Sequence, residues 1–309
     1  MQRAIVRAMP WVFVLIWATG FVVARLAMPH SPPFKFLAVR FALSAACYGV
    51  WVALARVAWP TGRGQWLHLA VTGALMQAGY LGGVWSAVKA GIGAGTVALL
   101  VGLQPVLTAL WVTATSARAG AGAGHGVSGR QWLGLLLGLA GLGLVVWPKM
   151  GTGEVTPANL TMAIVALLGI TIGTLYQKRH VAPCDVRTAS AIQMMAGFAI
   201  CAPLALLEPE AMDWHRDLVL AMAWSVGVLT LGGSSLLYLL IQRGEATAVT
   251  SLLYLVPPCT AVMAWLLFRE IFSLPMMLGM ALTVVGVAIV VRDRSAASAG
   301  TASGSATGA

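Results

Sequence analysis

Arg40 stands about six residues, or roughly 9 Å at 1.5 Å per residue, inside an otherwise apolar run from Phe34 to Leu54. A charged side chain at the centre of a bilayer costs about 2.5–3.5 kcal/mol on insertion scales. A cation in such a run therefore lines a cavity, anchors a neighbouring helix or snorkels back to the surface, and all three are open for Arg40. In a cavity it favours an anionic group such as a carboxylate. Other runs carry uncharged polar and aromatic residues: Trp17, Thr19, Tyr80, Trp85, Gln104, Gln193, Ser234, Ser235, Tyr238 and Tyr254. Rings with polar tips suit a pocket for an amphipathic solute, because the face stacks while the hydroxyl or indole N–H fixes orientation. The same rings also form belts at membrane interfaces. These residues are the expected substrate contacts. Pro105 and Pro257 lie inside two further runs, where a missing N–H and a ring clash bend a helix, and they are expected as hinges or as fixed bends.

Other chemistries find no matching pattern. His30, His68, His125, His180 and His215 are scattered in or beside loops, so neither a metal site nor a proton relay is expected. Cys47, Cys184, Cys201 and Cys259 have no paired spacing. Gly91-Ile92-Gly93-Ala94-Gly95 lacks the lysine of a phosphate loop, neither half has a Walker sequence, and no cofactor is expected. Lys89 and Glu270 fall at run ends, where they attract anions, cap or pair. No Asp or Glu falls at the middle of any run, which points away from tight proton or ion coupling. An enzyme acting on lipid needs convergent nucleophile, acid/base or metal groups, and none converge here. A non-transporting scaffold or sensor is the other alternative.

The elements that position these residues follow from composition. Hydrophobic residues make up 59% of the 309, charged residues 9%, and mean hydropathy is +0.87, where a soluble domain carries about 25% charge. Such a chain cannot cover itself with polar surface, and a crossing needs roughly 20 apolar residues. Runs fall at Pro10 to Ala27, Phe34 to Leu54, Trp66 to Val88, Gly93 to Thr115 and Trp132 to Trp147. A second set falls at Pro157 to Tyr176, Ala189 to Leu207, Leu218 to Ile241, Ala246 to Phe268 and Leu274 to Val291. The expected fold is an all-α integral membrane protein of ten transmembrane helices. The net charge of +10 is spread singly between runs and reads as a topology signal, not a nucleic-acid surface. With the N-terminus inside, twelve Lys and Arg fall on the cytoplasmic side and seven opposite, so both termini are expected in the cytoplasm. Ala119 to Gly129 reads as a flexible linker, and the Ser/Ala/Gly/Thr tail, 295–309, as disordered. Gly134 to Gly138 and Gly169 to Gly173 are small-xxx-small spacings for close packing within the chain.

An offset of 152 residues aligns Ala94, Thr96, Ala98 and Pro105 with Ala246, Ala248, Thr250 and Pro257. An offset of 145 aligns Gly134, Gly141, Val145 and Val146 with Gly279, Gly286, Val290 and Val291. Near the first of these offsets Gln193 falls opposite Arg40. Two repeats are implied, 1–148 and 149–294, and with five helices each the second must be inverted, an arrangement suited to alternating access around a midplane site. The chain resembles the EamA family of the drug/metabolite transporter superfamily. The resemblance rests on Trp17-Ala18-Thr19-Gly20-Phe21, Pro33 with Arg40, Gly95, Gln104-Pro105, Gly134 with Gly141, and Glu245-Ala246-Thr247-Ala248 followed by Pro257 and Arg269-Glu270. It implies a ten-helix bundle in the inner membrane with both ends cytoplasmic, moving amino acids, metabolites or xenobiotics, often outward. Ser116-Ala117-Arg118 departs from the pattern by lacking the glutamate that Glu270 supplies in the second copy. The expected partners are a small-molecule solute and the lipid bilayer, with no nucleic acid; homo-oligomer formation is left open.

Overall fold

Hydrocarbon offers no water to satisfy backbone N–H and C=O groups, so a chain this apolar must satisfy them within helices. The computed structural model describes residues 2–118, 128–233, 235–236, 253–270 and 273–304, with side chains set aside at 2–8, 116–118, 254 and 291–304. Among the described residues every regular element is helical. In chain order they are α1 (Gln2–Ala27), α2 (Pro33–Leu54), α3 (Arg63–Gly73), a π-helical segment (Ala74–Leu81), α4 (Gly82–Lys89), α5 (Ala94–Val101) and α6 (Gln104–Arg118). There follow α7 (Gly129–Gly151), α8 (Pro157–His180), α9 (Val186–Leu207), α10 (Arg216–Ala223), a second π-helical segment (Trp224–Gly232), a 3-10 turn (Leu253–Leu255), α11 (Val256–Phe268) and α12 (Leu274–Gly304). Among the described residues six stretches are long and apolar enough to cross a membrane: Met9–Ala27, Pro33–Leu54, Ala94–Thr115, Gly129–Gly151, Pro157–His180 and Val186–Leu207. Val256–Phe268 and Leu274–Val290 are shorter apolar helices.

Local sequence sets the boundaries. Ser128 and Thr156 open α7 and α8 with capping boxes, closed by the Gln131 and Asn159 side chains, so two orphan N–H groups are satisfied at each start. Pro33 and Pro157 occupy first-turn positions, where the missing N–H costs nothing. Asp185 caps α9 and pairs with Arg187 at 2.7 Å; that guanidinium holds the Asp185 carboxyl below the ordinary carboxylate range. Two boundaries differ from expectation. The first helix begins at Gln2, well before Pro10, through Ala and Arg residues of high helix propensity. The last continues to Gly304 through part of the tail expected to be disordered, because four alanines at 296, 297, 299 and 302 extend an existing helix without a new nucleus. Residues 119–127 of the linker and 305–309 of the tail lie outside the described residues.

Several helix pairs pack antiparallel, at glycines whose backbones lie against the neighbouring helix. A Cβ on Gly134 would meet Gly286 O at 2.5 Å, and one on Gly141 would strike Gly279 O, so α7 and α12 run in opposite directions and touch at alternating glycines. Lipid tails are as apolar as the helices, and association here comes from close van der Waals contact rather than from water exclusion. The α2 and α9 helices pair the same way: Phe41 packs on Gly197, while Trp51 receives the Arg187 guanidinium 5.7 Å from its ring. Gly169 meets Tyr80 N and Gly79, and Gly173 meets Leu75, so α8 runs antiparallel to the α3–α4 rod; Gly20 and Thr19 of α1 meet Leu229 and Trp224 of the second π segment. All four glycines of the two small-xxx-small spacings thus serve contacts within the chain.

Two features interrupt the rods at matching points. Each π segment follows one short helix of its half, and within the second, Thr230 Oγ1 donates to Ser225 O five residues back at 2.8 Å. The other interruption is a break between α5 and α6 at Gly102–Leu103, which leaves Pro105 as the second residue of α6; Pro257 is likewise the second residue of α11, after the 3-10 turn. Both prolines therefore start new helical segments, and a Cβ on Gly102 would lie 2.8 Å from Pro257 Cγ, so the two breaks touch. The main core includes the fully buried Tyr48, Phe36, Phe41 and Trp85. Leu136, Trp147, Leu206 and Leu266 face outward, as lipid-facing residues do.

Candidate functional site

The rods of the two halves leave a cavity of ≈ 140 Å³ between them, lined by Trp17, Gly20, Phe21, Arg40, Met76, Gln77, Tyr80, Leu81, Val84, Trp85, Met194, Leu229 and Thr230. Both π segments contribute: Met76, Gln77, Tyr80 and Leu81 come from the first, Leu229 and Thr230 from the second. A π turn inserts an extra residue and turns the following side chains away from the α-helical register, and such bulges are frequent at functional sites.

Arg40 is 7% exposed and is the charged residue among those lining the cavity; no carboxylate lines it among the described residues. Its Nη2 donates to Thr230 Oγ1 at 3.3 Å, and its Cζ lies 6.0 Å from the centroid of Trp85, within cation–π range. Trp85, 1% exposed, is held from its other neighbours by stacking on Phe36 at 4.3 Å and 22°. Thr230 is itself fixed, since its hydroxyl donates to Ser225 O and its carbonyl accepts from Tyr48 Oη at 3.0 Å. Arg40 Nε, itself occluded, has no hydrogen-bond partner among the described residues. A guanidinium carries five N–H donors, and one left unsatisfied in a buried position is costly. The geometry thus holds a cation in the cavity wall by weak contacts.

The expected contacts divide. Trp17, Arg40, Tyr80 and Trp85 come together around the cavity. Thr19 does not line it: its hydroxyl donates to Ile16 O at 2.6 Å and accepts the Trp224 indole N–H at 2.9 Å, tying α1 to the second π segment. Gln104 donates to Thr174 Oγ1 at 3.1 Å beside the α5–α6 break. Gln193 lies with its backbone against Gly73, and its neighbour Met194 lines the cavity instead. Ser234 and Tyr238 lie outside the described residues, as does the side chain of Tyr254. Gln77, Met76 and Thr230 reach the cavity from π turns that leave no mark in hydropathy, while Phe21 and Met194 are apolar residues that sequence does not distinguish from core.

Loop carboxylates and lysines tie neighbouring helix ends together. Glu208 accepts from the Phe34 and Lys35 N–H groups at 3.0 and 2.8 Å, and Glu270 accepts from Ala94 N–H at 3.1 Å, so carboxylates of the second half cap two helix starts of the first. Lys89 pairs with Glu210 at 2.6 Å, and Lys149 with Glu154 at 2.7 Å. Lys89 and Glu270 are thereby both engaged in these ties. Here too His30 and His215, scattered in the sequence, stack with ring centroids 4.5 Å apart. A backbone bond between the α1–α2 and α9–α10 connections, from Asp213 N–H to His30 O at 2.8 Å, brings them together.

A profile of the EamA-like transporter family matches residues 11–147 and again 158–292. Among relatives, the uncharacterized transporter YvbV of Bacillus subtilis (strain 168) is 24% identical over 284 residues, covering 90% of this chain and 88% of its own. Uncharacterized transporters of Archaeoglobus fulgidus and of Synechocystis sp. (sll0355) are each 25% identical, covering 89% of this chain and 93% and 86% of their own. A solved crystal structure with 21% identity superposes with a TM-score of 0.60 over 92% of this chain and 96% of that one, a likeness of fold.

Proposed function

The chain belongs to the EamA-like transporter family, and from that premise we propose that it is a permease for small organic solutes bearing a carboxylate, working by alternating access. The observation that carries this is the buried Arg40 in a cavity between the halves, with no carboxylate beside it among the described lining residues. A solute carboxylate pairs with this cation, and charge-assisted pairs with Arg are the strong ones. Trp17, Phe21, Tyr80 and Trp85 surround it with faces suited to an apolar body, while Gln77 offers an amide.

In this reading the chain crosses the bilayer ten times, as five-helix halves at 1–148 and 149–294 of opposite orientation, in the inner membrane with both termini cytoplasmic. The antiparallel pairing of α7 with α12 and of α2 with α9 supports it. The touching breaks at Gly102 and before Pro257 serve as the hinges about which the halves rock. Transport needs neither ATP nor a cofactor, no lining group is assigned a catalytic role, and the solute and the lipid are the partners. The absence of a carboxylate among the lining residues favours uncoupled exchange or weakly coupled export over tight proton coupling.

Purified protein in vesicles tests this. Vesicles loaded with a monocarboxylate are expected to take up labelled monocarboxylate by counterflow, to the same extent with and without an imposed pH gradient. Counterflow no faster than in protein-free vesicles removes the permease reading, and strict dependence on the gradient removes its uncoupled form.

A further inference from the structure

We propose that His30, His215 and Asp217 form a binding site for a zinc-class divalent cation where the α1–α2 and α9–α10 connections meet. One ligand atom from each of the three lies within 4.8 Å of the others. They are drawn from opposite halves of the chain and fixed by backbone: Asp213 N–H donates to His30 O at 2.8 Å, and His215 N–H donates to Asp213 O at 2.7 Å. The imidazoles lie nearly parallel at 12°.

A further carboxylate stands behind His30. His30 Nδ1 lies 3.3 Å from Asp213 Oδ2, so with Nδ1–H given to that carboxylate the ring presents Nε2 as a lone pair. A carboxylate behind the imidazole is the arrangement that orients metal-ligating histidines. His215 Nδ1 lies 3.8 Å from Asp217 Oδ2 and accepts the Asp217 N–H across a long 3.3 Å, a bond that a cation at Nδ1 replaces. Zinc with arms of about 2.0–2.1 Å draws its ligands to separations of roughly 3.4 Å. The three side chains, 22% exposed at His30, 53% at His215 and 42% at Asp217, have room to rotate that far. Two imidazoles and one carboxylate select Zn²⁺, Ni²⁺ or Cu²⁺ over Mg²⁺ and Ca²⁺, which take oxygen sets. Three protein ligands leave the fourth position to water.

Titration calorimetry of the full chain with Zn²⁺ tests the site, independently of any transport assay. The expected result is saturable micromolar binding of one equivalent, absent with Mg²⁺. His30→Ala and His215→Ala are each expected to weaken it at least about tenfold, and Asp213→Asn, which removes no ligand, about 10- to 100-fold. Glu210→Gln removes a charge from the same loop and leaves binding unchanged. Melting curves without metal establish that each variant is folded. The site is overturned by no saturable binding in the parent chain, by binding that survives in the double variant His30→Ala/His215→Ala, or by equal weakening from Glu210→Gln and Asp213→Asn, which marks a diffuse acidic loop.

Discussion

Arg40→Met is expected to lower the uptake rate of a monocarboxylate between about 10- and 150-fold, the range set by hydrogen bonds to a charged group of about 1.5–3 kcal/mol. Uptake of the matching neutral amide should fall far less. This difference separates a ligand contact from a structural anchor, since loss of an anchor would depress both solutes alike. Stability should hold, because Arg40 is bonded in the cavity wall through one long contact to Thr230 and a cation–π approach to Trp85, and replacing a buried charge by an apolar side chain of similar length is often neutral or stabilising. Arg40→Lys keeps the charge but not the planar fork that pairs with a carboxylate, so it should restore only part of the loss. Initial rates in vesicles, with melting curves alongside, check all of this.

The second large effect falls on folding. Gly141→Leu is expected to destabilise the protein by about 3 kcal/mol, at the upper end of overpacking costs, because even a Cβ there meets Thr283 Oγ1 at 2.6 Å and Thr283 N at 3.0 Å, besides Gly279 O. Backbone atoms of a packed helix cannot step aside as a side-chain tip can. Gly143→Leu, two residues along the same helix, has nothing within 4 Å and should be tolerated. Thermal unfolding followed by size-exclusion of the detergent-solubilised variants reads the contrast. Equal behaviour of the two variants would mean that α7 and α12 are not in contact through this face.

Much of the architecture is legible in the sequence because hydrocarbon thickness imposes a length on every crossing, and runs such as Phe34 to Leu54 and Pro157 to Tyr176 match helices closely. Arg40 stands out for the same reason, a charge where charges are costly. Thr19 and Gln104 look alike by that criterion, yet each spends its polar group on a neighbour, Trp224 and Thr174. Polarity inside a run marks a need for a partner, and sequence does not say whether the partner is a solute or another helix. The π segments are invisible to hydropathy, since one extra residue in a turn alters facing without altering composition; Gln77 and Thr230 reach the cavity from just those segments. His30 and His215 meet only through the folded connections, and nothing in their spacing announces it.

Access to the cavity from each face in turn is tested most directly at Gly20, which lines it and has room for a side chain, its nearest neighbour being Leu229 at 3.8 Å. With Cys47, Cys184, Cys201 and Cys259 replaced, Gly20→Cys can be treated with an impermeant thiol reagent on either side of sealed, oriented vesicles. Alternating access predicts labelling from both sides, each slowed by a transported monocarboxylate. Labelling from one side alone under every condition, or from neither, would contradict it.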